Sequence, residues 1–335
     1  MRHGSQSENS ILKRIFARAA ESAQNLAGHA VRLGIGDDAA LFRPKRGHET
    51  ILTCDFFLEG THFRRDKHPA DAVGWKCLAR ALSDVAAMGG MPRCFLLSLA
   101  IPESHTGLWL DAFLGGLRRA SRKFNCTLAG GDTTRRREIL INIAIVGEIR
   151  RARAVLRSGA RAGDILYVTG RLGEAELGLR MRSSFGQVRP SNPILKRHLY
   201  PEPRLAVGQW LAEKRLATSM MDLSDGLSSD LPRLCAASGV GADVESGKLP
   251  VVQPSTAGRG AGADPLQLAL HGGDDYELLF TVRPSRVNML TKTLHGVPLT
   301  AIGRITEQRG LVLLKQEGRE RQLHPGGWDP FRIKR

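Results

Sequence analysis

The sequence has few of the features that mark several large protein classes. Its five cysteines are widely spaced and form no Cys-x-x-Cys pair, so neither a zinc site nor a disulfide framework is indicated. No apolar run approaches the roughly 20 residues of a membrane span. The first residues also lack the apolar stretch of a secretory signal. Together these absences favour a protein of the reducing cytoplasm.

Several catalytic motifs are also missing. No Gly-x-x-x-x-Gly-Lys-Ser/Thr segment is present, which excludes a P-loop enzyme. No protein-kinase catalytic loop and no Gly-x-Ser-x-Gly nucleophile elbow occurs. Residues 34–39 match a dinucleotide-binding fingerprint, but Asp37 and Asp38 would repel a pyrophosphate there, and Pro44 interrupts the helix that the motif requires. A dinucleotide site is therefore not predicted.

The chain is poor in tyrosine and rich in basic residues. It has 49 Lys+Arg against 33 Asp+Glu, a net charge of +16, and only three tyrosines. The basic clusters are scattered, and few tyrosines are available to stack on bases, which favours a solvated basic surface over nucleic-acid binding. A basic nucleic-acid-binding protein is the alternative from another function class, and its affinity would fall steeply with salt.

Six short acidic segments stand out against this basic background, nearly all beside glycine or serine. They are residues 36–38, 53–55, 83–84, 130–134, 222–225 and 272–275. Glycine lets the backbone turn sharply and lets a ligand come close. Aspartate supplies the hard oxygens that Mg²⁺ prefers, together with substrate phosphates. Since two carboxylates about 4 Å apart repel by roughly 4 kcal/mol at an effective dielectric of 20, we predict a metal-dependent site for a phosphorylated ligand.

Length predicts two domains, and hydrophobic periodicity predicts strands and helices along them. A chain of 335 residues suggests two domains at about 150 residues each, and we place them at residues 1–150 and 151–335. Strand and helix signals alternate in the first half, with a strand at 50–57 and the clearest helix from Asp71 to Met88. Further along, the pattern predicts a helix from Pro284 to His295 and loops at 183–192 and 253–263.

Asp84 occupies the apolar stripe of the predicted helix. At 100° per residue it lies about 20° from Cys77 and about 40° from Met88. An unpaired charge on a buried stripe would be costly. The carboxylate is therefore expected to bind metal or to form a buried salt bridge, and the pattern leaves both open.

Taken in order, these segments resemble the thiamine-monophosphate kinase family of the PurM-like ATP-binding superfamily. The matching motifs run through nearly the whole chain: IGDDAAL, TCDFFLEGTHF, ARALSDVAAMGGMP, AGGDTT, VLRSGARAGD, MDLSDGLSSDL, LHGGDDYELLFTV and GGWDPF. The resemblance implies a two-domain PurM-like fold of the α/β (α+β) class. Its N-terminal mixed sheet would bind Mg²⁺ and ATP and pair across a dimer, and its C-terminal α+β sandwich would complete the nucleotide and substrate site.

The same resemblance implies a homodimeric enzyme that phosphorylates thiamine monophosphate to thiamine diphosphate, with ATP as co-substrate and several Mg²⁺ ions. Catalysis would consist of positioning and charge neutralisation. The acceptor phosphate is mostly a dianion at pH 7, so we expect direct in-line transfer without a protein general base. Three enzymes of the superfamily are alternatives: selenophosphate synthetase, aminoimidazole ribonucleotide synthetase and the hydrogenase-maturation proteins.

The resemblance also assigns individual residues. Mg²⁺ ligands are expected at Asp38, Thr53, Cys54, Asp55, Asp84, Asp132, Asp222 and Asp225. Nucleotide contacts are expected at Gly131, Asp132, Arg157 and Ser224. Thiamine monophosphate contacts are expected at His62, Asp274 and Trp328.

Some of these positions have a structural alternative. Trp328 could stack on a charged ring by cation–π attraction or be a packed terminal anchor, and His62 could be a structural histidine. Asp37 and Asp275 could be caps or supporting residues. Two positions depart from the family pattern, because Cys54 replaces a more usual Thr and Asp274 a more usual Glu. A hydroxyl contact and one methylene of reach are thereby lost.

Overall fold

The computed structural model describes residues 11–15, 17, 30–35, 39–184, 192–253 and 264–331. The chain divides into two compact units, one of residues 1–85 with 91–151 and the other of residues 86–90 with 152–335. Most of the two predicted loops, residues 185–191 and 254–263, lies outside the described residues. Among the described helices, none is long and apolar enough to cross a lipid bilayer.

The first unit is built on a four-stranded mixed sheet. Its elements are β1 (Val31–Leu33), β2 (Leu41–Phe42), β3 (His48–Leu58), α1 (Ala70–Ala87), β4 (Met91–Ile101), α2 (Leu108–Phe124), β5 (Thr127–Arg135) and β6 (Leu140–Arg150). The sheet order is β3-β6-β4-β5, and β1 pairs with β2 separately. Strands β4 and β5 are parallel and β6 is antiparallel to both β3 and β4. The predicted strand at 50–57 and helix from Asp71 to Met88 are confirmed.

Alternation along the strands gives the sheet one buried and one open face. On β6, Ile141, Ile143 and Ile145 are almost fully buried. On β3, Leu52 and Phe56 are 75% and 56% exposed although both are apolar. Successive side chains of a strand point to opposite faces, so one face holds the core and the other presents apolar side chains.

Helices α1 and α2 approach each other closely at glycines. A Cβ added at Gly74 of α1 would lie 2.0 Å from the carbonyl oxygen of Phe113, and one added at Gly116 of α2 would lie 1.8 Å from that of Asp71. No side chain fits at these distances. The neighbouring Gly115 has open space around its missing side chain.

The adjacent glycines Gly115 and Gly116 give a matched test of the close approach between α1 and α2. We expect Gly116→Ala to lower the free energy of unfolding by about 2–3 kcal/mol, because the helices must separate to admit the methyl group. Gly115→Ala should instead raise it by about 0.5–1 kcal/mol, because alanine favours a helix. Urea denaturation of both variants measures the difference. Equal effects would mean that the helices do not cross as described.

The second unit is built on an eight-stranded sheet. Its strands are β7 (Ile165–Thr169), β8 (Ala217–Leu223), β9 (Gly241–Glu245), β10 (Glu277–Val282), β11 (Thr293–Leu294), β12 (Val297–Thr306), β13 (Val312–Gln316) and β14 (Arg319–Gln322). Its helices are α3 (Glu174–Ser184), α4 (Pro193–Leu199), α5 (Leu205–Glu213), α6 (Leu227–Ser238) and α7 (Pro265–His271). The order is β14-β13-β9-β12-β7-β10-β8, and β11 pairs with β12.

Helix α6 packs its apolar side chains on this sheet. Leu227, Leu231 and Leu234 belong to one buried cluster with strand residues such as Leu166 and Leu279. Their spacing of three and four residues is that of a helix with one apolar face. The strand that precedes α6, β8, therefore ends next to the beginning of a firmly packed helix.

The predicted helix over Pro284–His295 is wrong. The chain forms a 3-10 helix at Pro284–Met289 and then the short strand β11. His295 and Gly296 both have positive φ, at 50° and 77°, and Leu294 pairs with Val297 across them. Two such residues favour a tight hairpin, which outweighs the helical spacing of the apolar residues.

Candidate functional site

In the first unit, two predicted metal ligands of β3 meet side chains of α1. The hydroxyl of Thr53 donates to Oδ2 of Asp84 at 2.5 Å. Nε of Arg80 donates to Oδ2 of Asp55 at 3.2 Å. Arg80 and Asp84 lie one helical turn apart on α1. Thr53 and Asp55 lie two residues apart on β3, so their side chains point to the same side of the strand. The structure therefore brings Thr53, Asp55 and Asp84 together around α1.

Cys54 lies on the other side of β3. It is exposed, in contrast to the four other cysteines, which are buried. Because neighbouring strand residues point to opposite faces, its thiol points away from the side chains of Thr53 and Asp55. On the side of the carboxylates, Cys54 can therefore offer a ligand only its backbone.

His62 lies in the turn that follows β3. Its Nδ1 accepts a hydrogen bond from the backbone N–H of Leu58 at 3.0 Å, and its ring stacks on Phe57 at 5.8 Å. Arg80 lies over the same Phe57 ring at 5.5 Å. With Nδ1 accepting, a neutral ring carries its proton on Nε2. His62 is thus held in one orientation beside the group that contains Asp55.

Gly131 and Asp132 lie on β5, at the opposite edge of the sheet from β3. Gly131 has a φ of 151°, and a Cβ there would lie 1.9 Å from the carbonyl oxygen of Leu97, so only glycine fits. Asp132 is exposed and its Oδ1 accepts the N–H of Thr133 at 2.9 Å. At about 4.8 Å per strand, three strand spacings put about 14 Å between the edges. Within one sheet, Asp132 and Asp55 therefore stay apart.

Asp38 lies outside the described residues, as does its neighbour Asp37. The assignments of Asp38 to metal and of Asp37 to a cap or a supporting role stay predictions.

In the second unit, the end of β8 and the loop after it contain three of the predicted residues. Asp222 is almost fully buried near the end of the strand, and Ser224 and Asp225 follow. Gly226, with a φ of 101°, then begins α6, and a Cβ there would lie 2.8 Å from the carbonyl oxygen of Gly272. This glycine lets the chain turn from the strand into the helix.

Asp274 packs against this loop. Its N–H donates to the carbonyl oxygen of Ser224 at 2.8 Å, and the Tyr276 hydroxyl donates to its Oδ1 at 2.7 Å. Asp274 and Tyr276 have positive φ values of 68° and 50°. Such conformations are costly for residues other than glycine and cluster at functional sites.

Trp328 reaches the same place from the end of the chain. Its N–H donates to the carbonyl oxygen of Asp225 at 2.9 Å. The preceding Gly327 donates to the hydroxyl of Ser229 at 3.1 Å, and a Cβ at Gly327 would lie 1.8 Å from the same Asp225 oxygen. The Trp328 residue remains 42% exposed. The structure therefore brings Ser224, Asp225, Asp274 and Trp328 together, with the indole accessible.

Arg157 lies elsewhere in this unit. Its carbonyl oxygen accepts a hydrogen bond from Ser238, at the C-terminal end of α6. Asp225 precedes the other end of the same helix, which is about 18 Å long at 1.5 Å per residue. The structure does not bring Arg157 to the acidic loop within this unit.

Two charged residues that support the loop were missed by the sequence analysis. Asp230 is fully buried and accepts the N–H groups of Ser224 and Asp225 at 3.1 and 3.0 Å. Arg233 donates to Asp225 and to Asp230. Burial, followed by the nearby Asp225, raises the pKa of Asp230 to about 6. Both residues lie on α6, and a carboxylate on the leucine stripe of that helix was the signal that could have revealed Asp230.

Asp275 is a cap, one of the two roles considered for it. Its carboxylate accepts the N–H groups of Gly173 and Ala175 at 2.7 and 3.1 Å, at the beginning of α3. Desolvation raises its pKa to about 8, and Glu277 and Glu174 act in the same direction. Asp275 therefore ties the segment that contains Asp274 to the beginning of α3.

The donor set suits Mg²⁺ by chemistry. It consists of carboxylate and hydroxyl oxygens, which Mg²⁺ prefers over nitrogen and sulfur. Among the described residues, no three His, Cys, Asp or Glu side chains converge as a ready metal site. Mg²⁺ is usually held by one or two carboxylates with substrate phosphates and water, so the pair-wise arrangement remains compatible with it.

Two family models cover most of the chain. The N-terminal domain of AIR synthase related proteins matches residues 36–149, and the C-terminal domain matches residues 161–315. Together with the mixed sheets of both units, these matches define a two-domain protein of the AIR synthase related class. The predicted PurM-like fold is confirmed.

Comparison with individual proteins identifies the family within this class. The thiamine-monophosphate kinase of Escherichia coli (strain K12) is 37% identical over 337 residues, which cover 97% of this chain and 98% of the relative. That of Bacillus subtilis (strain 168) is 32% identical over 320 residues, covering 90% and 94%. This chain belongs to the thiamine-monophosphate kinase family.

Solved structures agree. The thiamine-monophosphate kinase of Stenotrophomonas maltophilia K279a superposes with a TM-score of 0.79 at 34% identity, covering 93% of this chain and 98% of the other. A structure described as AaThiL complexed with AMPPCP and TMP has a TM-score of 0.73 at 31% identity over 98% of both chains. Hydrogenase maturation protein HypE in complex with ATP, at 0.75 and 19% identity, shares the fold alone.

The raised pKa of Asp275 predicts a pH effect on stability. Unfolding would return the carboxyl from a pKa of about 8 to its ordinary value near 4, so the folded state binds the extra proton between these pH values. This contribution to stability is complete below about pH 4 and is lost as the pH rises to about 8. We expect Asp275→Asn to flatten the decline, which for one proton is at most about 1.4 kcal/mol per pH unit.

Urea denaturation at about pH 5, 6 and 7 measures this slope. Asp264→Asn is the control, because Asp264 is an exposed aspartate that caps α7 through the N–H of Leu266. It should leave the wild-type slope unchanged. An unchanged slope in Asp275→Asn as well would contradict a neutral Asp275.

Proposed function

We propose that this chain transfers the γ-phosphoryl group of ATP to thiamine monophosphate, giving thiamine diphosphate and ADP. The observation that carries the proposal is the near full-length match to thiamine-monophosphate kinases. A relative matched over 98% of both chains is described with AMPPCP and TMP bound. The clustering of Ser224, Asp225, Asp274 and Trp328 in one place supports it independently of the names.

The proposed binding roles divide the residues into a group that contacts the nucleotide and a group that contacts thiamine monophosphate. Gly131, Asp132, Arg157 and Ser224 would contact the nucleotide, and the tight backbone at Gly131 would let phosphates approach the strand. His62, Asp274 and Trp328 would hold thiamine monophosphate. The exposed indole of Trp328 offers a flat apolar face with cation–π attraction for a charged ring, and the orientation of His62 is fixed through Leu58 and Phe57.

We propose that Mg²⁺ is the metal, held by Asp38, Thr53, Asp55, Asp84, Asp132, Asp222 and Asp225, with Cys54 contributing through its backbone. When bound, Mg²⁺ supplies positive charge that offsets the charge on phosphate oxygens. In the metal-free protein, Thr53 orients Asp84, and Arg80 balances the charge of Asp55. The alternative role of Asp84, a buried salt bridge, stays open.

The proposed chemical step needs no proton transfer to the protein. An oxygen of the acceptor phosphate, mostly a dianion at pH 7, forms a bond to the γ-phosphorus while the bond to the bridging oxygen of ADP breaks. The contribution of the chain is to hold two anionic phosphates in line and to exclude other acceptors. On this path no histidine acts as a base and no aspartate is phosphorylated.

A second copy of the chain is the proposed partner. The open face of the sheet exposes the apolar side chains of Leu52, Phe56, Met91 and Leu96 by 40% or more. Among the described residues, both edge strands, β3 and β5, lack a further partner. If both edges pair, β5 of each copy meets β3 of the other and the two sheets close on each other, which would bring Asp132 of one copy to Asp55 of the other. Such a dimer covers the apolar face and removes the separation of about 14 Å.

A cytoplasmic location is proposed as well. It is supported by the five cysteines, all of which are free thiols and four of which are buried, because free thiols are typical of a reducing compartment.

Substrate choice is tested by coupled measurement of ADP release. We expect appreciable turnover only when ATP, Mg²⁺ and thiamine monophosphate are all present, and little with thiamine, because a hydroxyl acceptor would require a base. Selenide and formylglycinamidine ribonucleotide serve as substrates of the rival enzymes. Turnover with either of these, and none with thiamine monophosphate, would falsify the proposed function.

The dimer is tested by mixing variants. Asp55→Asn and Asp132→Asn should each abolish activity, but a purified heterodimer of the two should regain about half of the wild-type rate, because one of its two sites contains only native residues. The matched control is a heterodimer of Asp55→Asn with Asp84→Asn. These two residues serve the same site from one copy, so it should stay inactive. Recovery in neither mixture would place Asp55 and Asp132 in the same copy's site or in no common site.

A further inference from the structure

Arg233 of α6 lies between two carboxylates of the acidic loop. Its Nη1 donates to Oδ2 of Asp225 at 2.5 Å and to Oδ1 of Asp230 at 2.8 Å. One guanidinium thus neutralises a predicted metal ligand and a buried carboxylate at the same time. Neither the resemblance nor the family motifs assign a role to this arginine.

The two carboxylates differ in how firmly they are held. Asp230 is fully buried, and its other oxygen accepts the N–H groups of Ser224 and Asp225. The side chain of Asp225 is 24% exposed, and Arg233 is the donor that its carboxylate is shown to contact. Asp230 is therefore a fixed support for the loop, whereas the Asp225 oxygens are accessible to an ion from solvent.

Arg233 lies partly at the surface. Its side chain is 48% exposed, so part of the guanidinium already faces solvent. A divalent cation on Asp225 would stand within a few ångströms of the guanidinium, where like charges repel strongly. The arginine and the metal therefore compete for the same carboxylate.

We propose that Arg233 is an internal counter-cation of Asp225, which a divalent metal must displace, and that it thereby sets the metal affinity of this site. The inference rests on the proposed function, which assigns Asp225 to metal binding. In the metal-free protein, Arg233 holds the loop together by balancing Asp225 and Asp230. With a metal on Asp225, the guanidinium would leave that carboxylate, and Asp230 would continue to accept the N–H groups of the loop.

The test measures Mn²⁺ binding to the full-length protein by electron paramagnetic resonance of the free ion. We expect Arg233→Gln to bind Mn²⁺ about three- to tenfold more tightly than the wild type, because a unit charge beside the ligand oxygen has been removed. The half-saturating Mg²⁺ concentration in turnover should fall by a similar factor. Arg233→Lys, which keeps the charge, should remain close to the wild type.

The matched control is Arg180→Gln. Arg180 also lies on a helix of the second unit, is 50% exposed and forms an ion pair with Glu176 at 2.8 Å, but it lies outside the acidic loop. It should bind Mn²⁺ as the wild type does. Thermal unfolding without metal should show a lower midpoint for Arg233→Gln than for Arg180→Gln, because only the former leaves two neighbouring carboxylates unbalanced.

The outcomes separate this inference from the proposed function. Asp225→Asn must lose one Mn²⁺ equivalent; if it does not, Asp225 is not a metal ligand and both proposals fail at this residue. If it does, but Arg233→Gln and Arg180→Gln bind Mn²⁺ equally, only the counter-cation role is overturned. Weaker Mn²⁺ binding in Arg233→Gln would also overturn it, since the arginine would then assist the metal.

Discussion

Repulsion between carboxylates is the physical constraint on the acidic residues of both units. Two such groups about 4 Å apart repel by roughly 4 kcal/mol at an effective dielectric of 20. This is a large share of the roughly 5–15 kcal/mol by which a typical domain is stable. The chain offsets this repulsion locally. In the first unit, Thr53 donates to Asp84 and Arg80 to Asp55. In the second, backbone N–H groups and Arg233 serve Asp230 and Asp225.

The backbone is shaped so that these donors can reach the carboxylates. Gly226 begins α6 with a positive φ, which aims the N–H groups of the loop at the Asp230 carboxylate one turn later. Gly327 lies against the Asp225 carbonyl oxygen where no side chain fits. The glycines beside the acidic residues therefore serve packing within the protein.

Much of this could be predicted from the sequence. The helix at Asp71–Met88 has long, regular periodicity, and the order of the acidic segments is specific enough to identify the family. The grouping of Asp274 with Ser224 depends on a hydrogen bond between residues 50 positions apart, which no local pattern reveals. The separation of Asp55 from Asp132 depends on strand order, and the hairpin at His295–Gly296 on turn geometry that outweighs apolar spacing.

The roles of Asp230 and Arg233 could not be predicted for a different reason. A motif shows which residue types recur, but not which carboxylate faces solvent and which is enclosed.

The two arginines beside the acidic residues, Arg80 and Arg233, differ in how they are held. Arg80 is only 15% exposed and lies over the Phe57 ring, so its position beside Asp55 is fixed by packing as well as by charge. Arg233 is 48% exposed, and the contacts shown for it are the hydrogen bonds of its guanidinium to Asp225 and Asp230. An arginine held by packing as well as by its guanidinium gives up its carboxylate less readily than one held by its guanidinium. The exposure of the two side chains is therefore the reason why the proposed exchange of an arginine for a metal ion is assigned to Asp225 rather than to Asp55.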